Sequence, residues 1–318
     1  MRVADDSGWR LFTSLAVYVR MPLFAVLSGY LFRLTVASWH DVGTVMRRKF
    51  RRLGIPLLVV SHLFYLAACP VRSKYCAVPL WQVLVLPYAH YWFLPATLIV
   101  MFVVAAGTHL AGARRRLFTA LALPFSAVLL LGVGPFSVDL FCINSAIYLL
   151  PCFLIGYTLQ VWSVPAFFEA APRWRRGVLL ALVAILVPAY VHLYGMIAAY
   201  PDLDEPKRSI FRLFLSTASC SFLFLLRPRL RFLAALGPFS YAIYLFHPFA
   251  TSASRRTLEL MRLDPSPPGL FATGLLLGVL VPVLLQMIAV GQRTTALLLL
   301  GIDAAPSPLA LVPQRERR

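Results

Sequence analysis

Ionisable side chains interrupt the apolar stretches of this sequence at a few positions, and three of them could carry out chemistry together. His62 and His247 each offer an imidazole, which can accept a proton near neutral pH and so act as a general base. Arg20 offers a permanent cation that could stabilise an oxyanion. Such groups suit a reaction in which a base removes a proton while a cation stabilises the negative charge that develops. The sequence predicts these three residues as candidate catalytic groups.

The surroundings of the two histidines leave other interpretations open. His62 follows Arg51 by eleven positions in RRLGIPLLVVSH, which corresponds to about 16 Å along a helix and puts the imidazole deep in an apolar run. A histidine there could equally be hydrogen-bonded to a neighbouring helix. His247 shares a helical face with Ser240 and Tyr244, but it could also be an interfacial residue before a proline at the external end of its helix.

Three further positions have structural interpretations. Arg20 stands two residues before Pro22, which could begin a helix, so a cation snorkelling to the interface is the alternative to a catalytic role. Snorkelling is the favoured interpretation of Arg212, near the start of its apolar run. His90 directly precedes Tyr91, which is typical of an aromatic belt at the membrane surface.

The densest group of cations, which we call the basic cluster, comprises Arg47, Arg48, Lys49, Arg51 and Arg52. It precedes an apolar run and therefore suits a cytoplasmic membrane anchor. Its side chains could also hold the phosphates of an anionic donor or of lipid headgroups, because each guanidinium can donate two parallel hydrogen bonds. The sequence predicts Arg48, Lys49, Arg51 and Arg52 as donor-binding residues. No phosphate-binding glycine loop or zinc-ligand spacing is present, and no metal site is predicted.

Composition indicates which elements must position these residues. Of the 318 residues, 60% are hydrophobic and 13% are charged, and the mean hydropathy is +0.78. At about 20 residues per span, this apolar content would supply about nine membrane-spanning helices. The runs are apolar all round rather than alternating, which favours a helical bundle over a β-barrel. The predicted spans are 14–33, 53–69, 92–112, 117–133, 141–162, 177–199, 209–226, 232–252 and 269–292.

We therefore predict an all-α polytopic membrane protein. Residues 1–300 are expected to form a single integral membrane domain, and residues 301–318 a disordered cytoplasmic tail.

The charges of the sequence indicate its orientation. Lys and Arg number 30 against 12 Asp and Glu, and most of the basic residues fall in alternate loops. Because cytoplasmic loops carry the positive excess, these loops and the C-terminus are expected inside the cell. The membrane topology therefore accounts for most of the excess positive charge, and nucleic acid is not an expected partner. With nine spans the N-terminus would lie outside, so one more helix is expected upstream of Met1.

Five strings of the sequence, in this order, resemble landmarks of the acyltransferase-3 family of integral membrane acyltransferases. They are MPLFAVLSGYLF, RRKFRRLGIPLLV, HYWFLPATLIVMF, AIYLLPCFLIGYTL and LGPFSYAIYLFHPF. The family's short Arg-x-x-Arg pattern maps onto Arg48 and Arg51, or onto Lys49 and Arg52 in the adjacent register. Family members often carry His before the Met of the first string, where this sequence has Arg20.

The resemblance implies a ten-helix enzyme of the class that transfers acyl groups other than amino-acyl groups. It implies that an acyl group, usually acetyl, moves from cytoplasmic acyl-CoA to a hydroxyl of a cell-surface glycan, glycolipid or lipid-linked sugar. Acyl-CoA is then the donor substrate, no bound cofactor is implied, and the location is the bacterial inner membrane. The family's catalytic His lies in its first helix, eleven positions after an Arg, and is therefore expected upstream of Met1.

Two other functions compete with this one. The chain could be an inactive, truncated member of the family that persists as a membrane scaffold. It could also be a transporter of a glycolipid or small solute, although the spans offer few acidic groups for proton coupling.

Overall fold

The computed structural model describes residues 8–35, 42–69, 79–199, 210–227, 230–262 and 267–302. These ranges contain α-helices and two short 3-10 turns, Leu140–Cys142 and Gly237–Phe239, and no β-strand. The helices are α1 (Gly8–Thr35), α2 (Val42–Ala68), α3 (Gln82–Val85), α4 (Phe93–Ala111), α5 (Arg115–Gly132), α6 (Ile143–Val161), α7 (Val164–Ala170), α8 (Pro172–Ala199), α9 (Ile210–Leu226), α10 (Arg231–Leu236), α11 (Ser240–Leu260), α12 (Pro267–Val290) and α13 (Arg293–Leu300).

The helices follow the apolar runs of the sequence. Each predicted span overlaps one of the longer helices. Within the described ranges, seven helices are long and apolar enough to cross a membrane, and α9 is a shorter apolar helix of 17 residues. A helix satisfies its backbone N–H and C=O groups internally, which is what a lipid environment demands. The all-α polytopic fold class is confirmed.

Two prolines at which the sequence leaves a helix end possible lie inside helices. Helix α1 runs without interruption through Pro22, and α11 runs through Pro248 to Leu260. The alternatives in which Pro22 begins a helix and Pro248 ends one are therefore excluded, and the predicted spans 14–33 and 232–252, which include these prolines, agree with the structure. A proline in a helix removes one intrahelical hydrogen bond, and a membrane helix tolerates this where another donor takes the freed carbonyl.

By its internal contacts the chain forms two compact units. The first comprises Met1–Met46 and Ala96–Pro228, and the second comprises Arg47–Pro95 and Arg229–Arg318. Gly301 and Ile302, which the sequence assigns to the tail, are described in the second unit, and residues 303–318 lie outside the described residues.

In the first unit α1 and α6 pack backbone to backbone at two glycines. A Cβ atom on Gly29 would overlap the carbonyl oxygen of Phe153, and one on Gly156 would overlap the carbonyl oxygen of Val26. Only residues without a side chain allow this approach, which membrane helices use for close packing. The two glycines therefore determine how α1 lies against α6.

Arg212 is buried in the first unit instead of extending to water. Its side chain is 9% exposed, and its Cζ atom lies 5.6 Å from the ring centroid of Tyr148 on α6. The prediction that Arg212 snorkels is wrong, because the ring face of Tyr148 attracts the cation within the helix packing.

The core of the second unit combines aromatic and aliphatic side chains from α2, α11, α12 and α13 with the segment that precedes α4. Its largest fully buried side chains include Tyr91, Leu94, Leu245 and Leu300. Leu53 and Leu57 of α2 pack against this core, close to the basic cluster in sequence. The core therefore joins the helix of the basic cluster to the helix of His247.

Candidate active site

His247 is oriented by a carbonyl group that a proline sets free. In a regular helix the N–H of residue 248 would bond the carbonyl of Tyr244, but Pro248 has no N–H. Nδ1 of His247 takes this place, 3.0 Å from the Tyr244 oxygen and 2.9 Å from the Ile243 oxygen. Because a carbonyl only accepts, Nδ1 carries the proton, and the neutral ring has its lone pair on Nε2. Helix α11 thus holds His247 in the tautomer of a base.

A second imidazole, that of His90, lies beside His247. The two ring centroids are 5.3 Å apart, and the rings are inclined by 65°. The carbonyl of His90 accepts a hydrogen bond of 2.6 Å from the hydroxyl of Tyr244. Tyr244 therefore contacts both histidines, one through its backbone carbonyl and the other through its side chain. We call His90 and His247 the histidine pair.

Aromatic rings surround the histidine pair. The ring centroids of Tyr91 and Phe64 lie 3.9 and 5.9 Å from that of His90. The hydroxyl of Tyr91 donates a hydrogen bond of 3.1 Å to the Leu245 carbonyl. Burial, with a further contribution from Tyr88, raises the pKa of the Tyr91 phenol, so this donor keeps its proton. Apolar surroundings of this kind strengthen the hydrogen bonds made inside them.

His62, the other predicted base, lies apart from the histidine pair. Its Nδ1 is 2.6 Å from the Leu58 carbonyl, one turn earlier on α2, rather than bonded to a neighbouring helix. In the part of the chain that the structure describes, His62 makes no ring contact with the histidine pair. The structure therefore does not bring the two predicted histidines together.

Arg20 is exposed on α1 and belongs to the first unit, whereas the histidine pair belongs to the second. Its catalytic role stays a prediction.

The basic cluster occupies the first turns of α2, where the helix begins earlier than the apolar run. Arg47, Arg48 and Arg52 are exposed, and Lys49 and Arg51 are half-buried. On a helix, residues four apart share a face, which pairs Arg47 with Arg51 and Arg48 with Arg52. Helix α2 therefore presents paired cations, an arrangement that can contact several phosphate oxygens at once.

The comparison with protein families decides which class of protein carries this geometry. A family model described as an acyltransferase domain, that of the acyltransferase-3 family, matches residues 2–287. The chain belongs to the acyltransferase-3 family. No match was found among curated proteins or among solved structures. With its apolar helices, this acyltransferase-3 protein is an integral, multi-pass membrane protein with an acyl transferase domain.

His90 is the part of this candidate site that sequence reasoning missed. It stands among aromatic residues in YAHYW, which suits a membrane belt, and it lies far from His247 in sequence. The available signal was topological, because the charge distribution places both residues toward the external ends of their spans. The histidine pair offers groups that can accept protons, and the basic cluster offers groups that can bind anions.

Proposed function

We propose that this acyltransferase-3 protein moves an acyl group, usually acetyl, from cytoplasmic acyl-CoA to a hydroxyl of a cell-surface glycan or glycolipid. The observation that carries the proposal is His247, held by the carbonyls of Ile243 and Tyr244 with its lone pair on Nε2. The family match supports acyl transfer in general. Both the donor and the acceptor belong to the proposal.

His247 supplies the proton transfers in this reaction. Its Nε2 takes the proton of the acceptor hydroxyl as that oxygen attacks the thioester carbonyl carbon. The tetrahedral intermediate then expels the thiolate of coenzyme A, which takes the proton from Nε2. The C–S bond is broken and a C–O bond is formed, so the products are an ester and a free thiol. The ring of His90, with its centroid 5.3 Å away, lies beside His247.

The basic cluster provides the place for the donor. Arg48, Lys49, Arg51 and Arg52 would contact the phosphates of acyl-CoA, and their position before an apolar run puts them at the cytoplasmic surface. The same orientation puts the C-terminus in the cytoplasm and fits a bacterial inner membrane. The acceptor would reach the histidine pair from the external side or from the lipid.

The proposed function is tested with the purified protein in lipid vesicles, labelled acetyl-CoA and a lipid-linked glycan. We expect label on the acceptor, and free thiol released in proportion. The double variant Arg48→Ala, Arg51→Ala should raise the KM for acetyl-CoA about tenfold or more, since each lost charge-assisted hydrogen bond removes about 1.5–3 kcal/mol. Arg173→Ala, Arg176→Ala is the matched control, because it removes two exposed arginines with the same spacing from α8.

Two outcomes would contradict the proposal. Absence of acceptor-dependent thiol release from well-folded wild-type protein would rule out acyl transfer from coenzyme A. Normal membrane levels of Arg48→Ala, Arg51→Ala with an unchanged KM would remove the donor role of the basic cluster.

A further inference from the structure

We propose that Tyr241 and Gly301 are positioning residues of the basic cluster. Between them they hold the backbone of Arg51 and Arg52, so that the guanidinium groups meet the donor phosphates in one geometry. The inference rests on the proposed function, because it takes acyl-CoA as the donor. Neither residue belongs to the basic cluster itself.

The first contact is a second carbonyl set free by a proline. Pro56 lies inside α2, and its missing N–H would have bonded the carbonyl of Arg52, four residues earlier. The hydroxyl of Tyr241 donates a hydrogen bond of 2.7 Å to that carbonyl. Tyr241 therefore replaces the lost backbone donor at a position inside the basic cluster.

The same tyrosine also contacts the side chain of Arg52. The Cζ atom of Arg52 lies 5.6 Å from the Tyr241 ring centroid, within the range of a cation–π interaction. Backbone and guanidinium of Arg52 are thus held by one side chain. A long, flexible cation restrained in this way loses less entropy when it binds a phosphate.

The second contact comes from the end of α13. Gly301 terminates this helix in the left-handed conformation, with φ of 65°, and its N–H donates to the Leu297 carbonyl at 2.9 Å. A Cβ atom on Gly301 would lie 2.5 Å from Cα of Arg52 and 2.7 Å from the Arg51 oxygen. Glycine is required here for both reasons, conformation and space. Gly301 lies beyond residues 2–287, so the family match does not include it.

Helix α11 connects this arrangement to the histidine pair. Tyr241 precedes His247 by six residues on α11, which is a rise of about 9 Å. One helix therefore contacts the basic cluster near its start and orients the proposed base further along. The backbone of Arg51 and Arg52 and the imidazole of His247 are therefore held at a fixed separation within the second unit.

The test is a double-mutant cycle between Tyr241 and Pro56, read as KM for acetyl-CoA and kcat on the full chain in vesicles. Tyr241→Phe keeps the ring and removes the donor, so we expect the KM to rise about fivefold to tenfold, with kcat changed less than about twofold. Pro56→Ala restores an N–H for the Arg52 carbonyl. In that background Tyr241→Phe should change the KM by less than about twofold.

Gly301→Ala perturbs the backbone of Arg51 and Arg52 at a second point and should also raise the KM by about fivefold or more. Gly274→Ala on α12 is its control, because a Cβ there meets no atom within 4 Å. Tyr194→Phe, at an exposed tyrosine of α8, is the control for Tyr241→Phe. Thermal unfolding of every variant in detergent separates an effect on the donor site from a general loss of fold.

The outcomes distinguish this inference from the proposed function. Wild-type protein that releases no thiol from acetyl-CoA contradicts the proposed function and with it the inference. Active wild-type protein for which Tyr241→Phe leaves the KM unchanged overturns the inference alone. The inference is also overturned if Tyr241→Phe raises the KM equally in the wild-type and Pro56→Ala backgrounds.

Discussion

The rings of His90 and His247 meet edge to face, with their centroids 5.3 Å apart. Tyr244 connects the two residues, because its hydroxyl donates a hydrogen bond to the carbonyl of His90 and its own carbonyl accepts one from Nδ1 of His247. A change at His90 is therefore expected to reach His247 both through the ring contact and through Tyr244.

Replacement of the two histidines should have unequal and non-additive effects. We expect His247→Gln to lower kcat about a hundredfold or more, because general-base catalysis contributes about 10²–10⁴. His90→Gln should lower kcat less, and the double variant should resemble His247→Gln. The control is His192→Gln at an exposed histidine of α8. Equal activity of His247→Gln and wild type, at equal folded yield, would exclude His247 as the base.

Pro248 should matter for activity although it carries no reactive group. Pro248→Ala adds an N–H that competes with Nδ1 of His247 for the Tyr244 carbonyl, so the imidazole loses part of its restraint. We expect kcat to fall about threefold to tenfold, as the loss of one hydrogen bond of about 1 kcal/mol predicts, with the KM for the donor unchanged. Pro188→Ala, at an exposed proline inside α8 of the first unit, should leave kcat unchanged. A Pro248→Ala variant with wild-type kcat would show that the freed carbonyl is irrelevant to catalysis.

The sequence predicts the elements of this fold better than its site. Runs such as 92–112 and 269–292 are apolar on every side and long enough to span a membrane, so in lipid a helix is the structure that satisfies their backbone. The basic cluster is likewise predictable, because five cations within six positions stand out in an apolar chain.

The contacts of the site depend on residues far apart in the chain. His90 and Tyr244 are 154 positions apart, and Tyr241 and Arg52 are 189 apart, so no local spacing indicates either contact. The sequence also leaves open that His247 precedes a proline at the end of its helix. The structure shows this proline inside α11, where the carbonyl it frees is the group that orients His247.

Two glycines in the first unit should be sensitive to the smallest enlargement. Gly29→Ala or Gly156→Ala places a methyl group against a carbonyl oxygen of the facing helix, so α1 and α6 must move apart. We expect each to destabilise the protein by about 1–3 kcal/mol, measured as a lower unfolding temperature in detergent. Gly195→Ala on α8 meets no atom within 4 Å and should be neutral or slightly stabilising. Unchanged thermal stability of both Gly29→Ala and Gly156→Ala would contradict the close approach of α1 and α6.

Because of Tyr91, the stability of the protein should decrease as the pH becomes alkaline. Its phenol is buried and donates to the Leu245 carbonyl, and burial raises its pKa above the ordinary value of about 10. The folded protein therefore keeps Tyr91 neutral where the unfolded chain would ionise it. The stability that the neutral phenol contributes is complete below about pH 10 and declines as the pH rises further.

Tyr91→Phe removes this dependence together with one hydrogen bond. Below about pH 9 we expect the variant to be less stable than wild type by about 1 kcal/mol, with a difference that does not vary with pH. Above about pH 10 the difference should shrink by about 1.4 kcal/mol per pH unit, because only the wild-type protein must keep a phenol neutral on folding. Unfolding curves of both proteins in the same detergent, measured from neutral to alkaline pH, give this difference directly. A difference that stays constant above pH 10 would show that Tyr91 ionises as readily in the folded protein as in the unfolded chain.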